Sequence, residues 1–258
     1  MNTIKHILIV GRNKKNGYSG GRYHALLSAL ALAKKYKITY LTDHIPSFIS
    51  DFIDYPQLRN ISFDLSLFSY KTELSIKYDV ILLIPDMNPF SGIYNKTLLL
   101  HMKNKGKLML INFESPNFFN KKNKRNELNW IGWRLIAKFS QYIISSTNLT
   151  NIYAKNYYVC NSNFFYNYPP INEAVINKFK TKRARNRKKI ITIITRFDRL
   201  SKHKGNNEIL DFLNESFYNY TFNIIGNPDN VLKNNIIIFI QFFFNIRNNI
   251  LLKFNTFF

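Results

Sequence analysis

Short apolar runs recur along this chain, spaced too far apart for hairpins and far enough to hold a helix between them. The first is Ile4–Gly11, followed by Lys37–Leu41 (KITYL), Tyr78–Ile84 (YDVILLI), Lys107–Phe113 (KLMLINF) and Gln141–Ser145 (QYIIS). Continuous apolar runs of this length read as strands buried on both faces, the pattern of a parallel sheet. Between the first two, Tyr23, Leu26, Leu27, Leu30 and Ala33 fall at helical spacing in an Ala-rich stretch, which predicts a helix over 22–35. Strands interleaved with helices imply an α/β fold, a parallel sheet covered on both sides.

The alternation pauses and then resumes. Pro169-Pro170 cannot sit in a central strand or a helix interior. The run KFKTKRARNRKK follows, with eight basic side chains in residues 178–189. Beyond it Lys189–Thr195 (KIITIIT) and Tyr220–Ile225 (YTFNII) read as strands, 204–213 as a helix and 235–239 as a further apolar piece. The expected organisation is a Rossmann-like domain over 1–165, a linker over 166–188 and an incomplete second Rossmann-like domain over 189–258. From residue 240 onward the apolar tail carries neither turn signals nor helical pattern, which reads as an abrupt end.

Charge narrows the partners. There are 37 Lys+Arg against 15 Asp+Glu, a net charge of +22, with 46% hydrophobic and 16% aromatic residues. So apolar a chain is not a disordered basic tail. Its charge favours anions: nucleotide or phosphate substrates, an anionic membrane face, or nucleic acid. One cysteine, Cys160, rules out an internal disulfide and a multi-cysteine zinc site and suits a reducing compartment. The five histidines have no metal-ligand spacing, and no Asp-x-Asp occurs, so no metal is expected. No apolar run reaches the 18 residues of a membrane span.

Three segments carry candidate chemistry. The loop GRNKKNGYSGG after the first strand offers Gly17, Gly20 and Gly21, where backbone comes close to a ligand at a helix N-terminus. It is neither G-x-G-x-x-G nor a P-loop. With Asp43 at the end of the second strand, where dinucleotide folds place a ribose-binding acid, it supports an NAD(P)-dependent oxidoreductase reading. Glu114 leaves the strand 107–113 at its carboxyl end, where ligands bind in parallel sheets. The most informative segment is ITIITRFDRLSKHKGNNEILDFL, residues 191–213. A buried strand ends near Arg196, a loop carries Arg199, Lys202, His203 and Lys204, and Gly205 opens a helix. Such cations beside a helix N-terminus form a diphosphate cradle.

At this segment the sequence resembles the retaining glycosyltransferases of the GT-B fold, glycosyltransferase family 4. Their second domain opens with a strand, a G-R-x-x-x-x-K-G pattern and a helix; here it reads TRFDRLSKHKG, with Thr195 for Gly and a longer gap before Lys204-Gly205. GYSGG resembles the family's first-domain loop, SQYIISSTNLTNIYAKNYY its strand-then-helix run, and FFYNYPPIN its crossing between domains. The resemblance spans about residues 4–240. It implies two Rossmann-like domains facing a cleft. It also implies metal-independent transfer from a nucleotide-sugar donor to a glycan or lipid-linked acceptor. Arg196, Lys202, Lys204 and Gly205 would hold the donor diphosphate, and Gly17, Gly20 and Gly21 would form the acceptor and phosphate loop. Glu114 stands as catalytic candidate where the family often has His. The expected setting is cytoplasmic and peripheral on the inner membrane face, with no specific nucleic acid. The family's E-x7-E motif is absent, so a C-terminally truncated transferase is expected. The alternatives are the oxidoreductase and a basic nucleic-acid-binding protein, the latter resting on residues 178–189.

Overall fold

A computed structural model describes residues 6–15, 20–69, 76–86, 91–113, 119, 131–158, 160–168 and 170–171, with the backbone of 190–194 and 221–225. The chain divides into two compact units, Met1–Ile176 and Asn177–Phe258.

The first unit holds seven parallel strands: β1 His6–Val10, β2 Lys37–Leu41, β3 Ile61–Asp64, β4 Val80–Leu83, β5 Lys107–Asn112, β6 Tyr142–Ser145 and β7 Asn163–Tyr166. Their order is β3-β2-β1-β4-β5-β6-β7, so the chain winds outward from β1 in one direction and from β4 in the other. That reversal makes the gap between β1 and β4 a topological switch point, the place where open α/β sheets leave a crevice at their carboxyl ends. The expected α/β sheet is therefore present. β3 and β7 extend it beyond the five strands read in its sequence, and β7 carries the sheet to Tyr166.

Alternation along each strand divides the core into two layers. Leu8, Val10, Ile81, Leu83, Leu108, Leu110 and Ile143 point to one face. They pack against α2 Gly92–Asn104, α3 Ile131–Phe139 and α4 Asn148–Tyr158, through Ile93, Leu100, Trp133, Ile136 and Ala154. Ile7, Ile9, Ile38, Tyr40, Val80 and Leu82 point to the other face, where α1 Gly20–Leu32 lays down Ala25, Leu26, Ala29 and Leu30. Two short 3-10 helices, Ile49–Phe52 and Pro56–Asn60, bring Phe52 under Tyr23. Past α1 on this face lies a cavity of about 570 Å³ lined by Leu82, Met109, Ile111 and Ile144, with Asn112 and Ser145 also in its wall.

Two glycines are sterically required. Lys105 closes α2 in the left-handed region, φ 52°, and Gly106 then turns into β5. A Cβ on Gly106 would collide with the carbonyl oxygen of Tyr78 and stand 3.2 Å from that of Asp79. Gly132 on α3 lies flat against the Tyr94 ring, where a Cβ would stand 2.6 Å from Cδ2 and 2.8 Å from Cζ. Gly106 meets fixed backbone, so a side chain there is excluded, whereas at Gly132 the Tyr94 ring would have to move.

Of the second unit, the described part is a parallel pair, β8 Ile190–Ile194 and β9 Thr221–Ile225, in register Ile190 to Thr221 and Ile194 to Ile225. Both lie where the sequence predicts strands. A parallel pair requires a crossover rather than a hairpin, consistent with the helix expected over 204–213. That helix and the piece at 235–239 lie outside the described residues.

Candidate functional site

The backbone ladder that joins β1 to its neighbours ends at Gly11, whose N–H bonds the Leu41 carbonyl at 3.1 Å, and at Ile84, whose N–H bonds the Val10 carbonyl at 2.8 Å. Just beyond these bonds the crevice begins, and side chains take over. Arg12 donates from Nε to Asp43 at 3.1 Å and from Nη1 to Asp86 at 3.0 Å. Asp43 follows β2 and Asp86 follows β4, so one guanidinium ties three strand ends together. Phe68, after β3, lies 5.4 Å from the same guanidinium.

Asp43 is the more firmly held carboxylate. Its Oδ1 accepts the Asn13 N–H at 2.7 Å and the Lys14 N–H at 3.2 Å, with Lys14 at φ 57°. Burial pushes this carboxyl up, but the N–H groups of Asn13 and Lys14 and the Arg12 guanidinium outweigh it and hold the group below its ordinary value. Arg12 shows the reverse balance: burial lowers it, and the bonds to Asp86 and Asp43 carry it above the usual arginine value. Arg22, on the first turn of α1, is lowered by burial, against the attraction of Asp86 and Asp43. Two cations and two carboxylates thus balance at the mouth of the crevice, in a chain whose charge is strongly positive.

Asp86 is anchored from behind. Its carbonyl accepts from Trp133 Nε1 at 2.7 Å and from the Tyr94 hydroxyl, which joins the strand end to α3 and α2. On the other wall, His24 of α1 faces Phe113, just beyond β5, with ring centroids 6.1 Å apart. Its buried Nδ1 has no hydrogen-bond partner among the described residues.

Gly20 and Gly21 open α1 at this edge. A Cβ on Gly20 would meet nothing within 4 Å, and one on Gly21 only the Phe113 ring at 3.8 Å. The glycines therefore leave open space at a helix N-terminus rather than relieving a clash. Gly17, Glu114, Arg196, Lys202, Lys204 and Gly205 lie outside the described residues, as does the basic run 178–189. Asp43, on which the oxidoreductase reading rests, has both oxygens engaged by the β1–α1 loop and Arg12, so nothing in the geometry supports it as a ribose-binding acid. Among the described residues no group of three His, Cys, Asp or Glu side chains is placed to hold a metal, and no helix is long and apolar enough to cross a membrane.

No family model matches the chain, and no curated protein matches it in sequence. Solved structures do match in shape. HepE of Anabaena, in complex with UDP and glucose, superposes with a TM-score of 0.59 at 12% identity, over 92% of this chain and 65% of that one. Its complex with UDP-glucose gives 0.60 over 92% and 66%. Sucrose-phosphate synthase of Thermosynechococcus elongatus gives 0.57 at 10% identity over 93% and 68%.

The chain shares the fold of these proteins, an α/β Rossmann-like arrangement.

The chain spans slightly under two thirds of the HepE length it matches. The chain also matches a UDP-N-acetylglucosamine 2-epimerase of Rickettsia bellii, TM-score 0.51 at 12% identity. A shared fold therefore leaves the reaction to be argued from the site.

Proposed function

We propose that this chain is a glycosyltransferase that moves a sugar from a nucleotide-sugar donor to a glycan or lipid-linked acceptor. The observation that carries the reading is the pairing of this fold with one stretch of sequence. β8 ends at Ile194, and TRFDRLSKHKG follows directly at its carboxyl end. Carboxyl ends of parallel strands are where α/β proteins bind ligands. Arg196, Lys202 and Lys204 would grip the donor diphosphate there, with Gly205 letting the helix N-terminus approach it. Arg supplies a bidentate fork and Lys a point charge. In transfer, the sugar–phosphate bond breaks and negative charge grows on the departing diphosphate, so fixed cations at that position lower the barrier.

The first unit would serve the acceptor side. Its crevice offers Arg12, Asp43 and Asp86 as a charge-balanced polar wall, with Gly20 and Gly21 opening α1 beside it; Gly17 would belong to the same loop. Glu114 comes two positions after Asn112, the last residue of β5, in sequence, and is our candidate for the group that would face the reacting sugar. The resemblance to family 4 argues for retention of configuration without a metal. The run 178–189 and the net charge suit an anionic membrane face presenting a lipid-linked acceptor.

Calorimetry with UDP-glucose on the full chain tests the reading. Saturable binding that survives EDTA and weakens about tenfold or more in Arg196→Ala is expected, since a charge-assisted diphosphate contact contributes on the order of 1.5–3 kcal/mol. Binding of equal strength in Arg196→Ala and Lys204→Ala would remove the cradle from the proposal.

A further inference from the structure

The Arg12 bridge stands where the sheet can no longer hold its own strand ends. Ladder bonds cease at Gly11 and Ile84. Asp43 and Asp86 lie 31 and 74 positions from Arg12, on two strands that flank β1 from opposite sides. Their side chains are 7% and 13% exposed, while Arg12 is 30% exposed. Two mostly buried carboxylates facing one crevice repel; Arg22 attracts both, and Arg12 hydrogen-bonds both and bridges them.

Each partner is also fixed independently. Asp43 holds the N–H groups of Asn13 and Lys14, so it clasps the start of the β1–α1 loop. Asp86 is held through its carbonyl by Trp133 and Tyr94, so it is an extension of the α2 and α3 layer. The bridge therefore couples the loop to that helical layer. Nε goes to one carboxylate and Nη1 to the other, which uses the width of the guanidinium. A lysine ammonium is a point charge and lacks that span.

We propose that Arg12 is a positioning residue: by bridging Asp43 and Asp86 it fixes the separation of the segments leaving β1 and β4, and so holds residues 12–15, the start of the β1–α1 loop, in place for ligand at the crevice. The identity of that ligand rests on the transferase reading; the positioning of the loop does not.

Two readouts on the full chain test this with wild type, Arg12→Met and Arg12→Lys, and with Leu108→Ala, a buried residue at the amino end of β5, as a variant destabilised away from the crevice. One is native-state hydrogen exchange at the Asn13 and Lys14 amides, which Asp43 holds. The other is affinity for UDP-glucose by calorimetry. Both Arg12 variants are expected to exchange these amides about tenfold faster than Leu108→Ala, compared at equal distance below their melting temperatures, because the opening is local rather than global. Both are expected to bind UDP-glucose at least about fivefold more weakly, a change of roughly 1 kcal/mol. Wild-type exchange rates in Arg12→Lys, or rates that track melting temperature across all variants, would overturn the proposal. Should Arg12→Met fail to fold, Arg12→Lys, which keeps the charge, decides alone. Absence of UDP-glucose binding in wild type would refute the donor reading, and the exchange comparison would still judge Arg12.

Discussion

Gly132→Ala sets two effects of opposite sign against each other. Gly132 is the second residue of α3, and replacing glycine by alanine in a helix favours folding by up to about 1 kcal/mol, less in the first turn than in the interior. Against this, the new methyl would enter the Tyr94 ring, 2.6 Å from Cδ2. Tyr94 is 3% exposed, packs in the same core layer as Trp133, and is tethered by its hydroxyl to the Asp86 carbonyl. Moving it costs about 1–3 kcal/mol of overpacking and roughly 1 kcal/mol for the lost hydrogen bond. Sterics therefore win, for a net loss of about 1–3 kcal/mol. For a unit of this size, each kcal/mol shifts the melting temperature by about 2–4 °C, so a fall of roughly 2–12 °C is expected in thermal unfolding. Adding Tyr94→Leu should recover part of the loss by making room. A melting temperature for Gly132→Ala equal to or above wild type would refute the packing argument.

The remaining predictions concern titration and donor contacts. His6 bonds Thr39 Oγ1 at 2.9 Å and its ring lies edge-on to Tyr78; burial, then Lys37, lower its pKa below 6.5, against Asp79. The unfolded chain then takes up a proton that the folded chain refuses, so stability should fall as pH drops below 6.5, and His6→Gln should flatten that part of the curve in chemical denaturation. Asp43 behaves oppositely: its depressed pKa contributes stability above 3.8 that is lost as pH falls through the folded value, and Asp43→Asn should erase that acid limb. Because a lost diphosphate contact reduces bound charge, Lys204→Ala should bind UDP-glucose more weakly and with a smaller salt dependence than wild type, measured by calorimetry across a salt series.

Much of the fold was readable because parallel strands buried on both faces announce themselves as apolar runs. KITYL coincides with β2 to the residue, and IITII and TFNII lie within their expected segments. β3 escaped because ISFD is a four-residue edge strand with Ser62 exposed and Asp64 half-buried, so it has no apolar run. β7 was hidden by its neighbours: NFFY leads into Pro169-Pro170, and the prolines place the expected linker from Tyr166, the last residue of the strand. α2, GIYNKTLLLHMKN, has too little amphipathic pattern to be recognised, since Lys96 and Thr97 are among its buried residues.

The crevice was less legible. Arg12 reads in sequence as one more cation in a basic loop, and nothing local says that residues 43 and 86 will neutralise it; only the strand order does. Asp43 was visible as an acid at a strand end, but its role depends on which groups reach it. The glycine after α2 looks like a helix cap, yet Lys105 takes the left-handed position and Gly106 serves the close passage of the Tyr78 backbone. Conversely, the cradle proposed around Arg196 lies outside the described residues and is argued from sequence alone, from a cation-rich run that directly follows β8.

Photolabelling with 5-azido-UDP-glucose, followed by peptide mapping, tests most directly whether this protein takes a sugar nucleotide. Saturable labelling confined to peptides containing residues 195–205 and 11–22, displaced by UDP and indifferent to NADH, is the predicted result. Labelling scattered over the basic surface, or displaced by NADH and not by UDP, would contradict it.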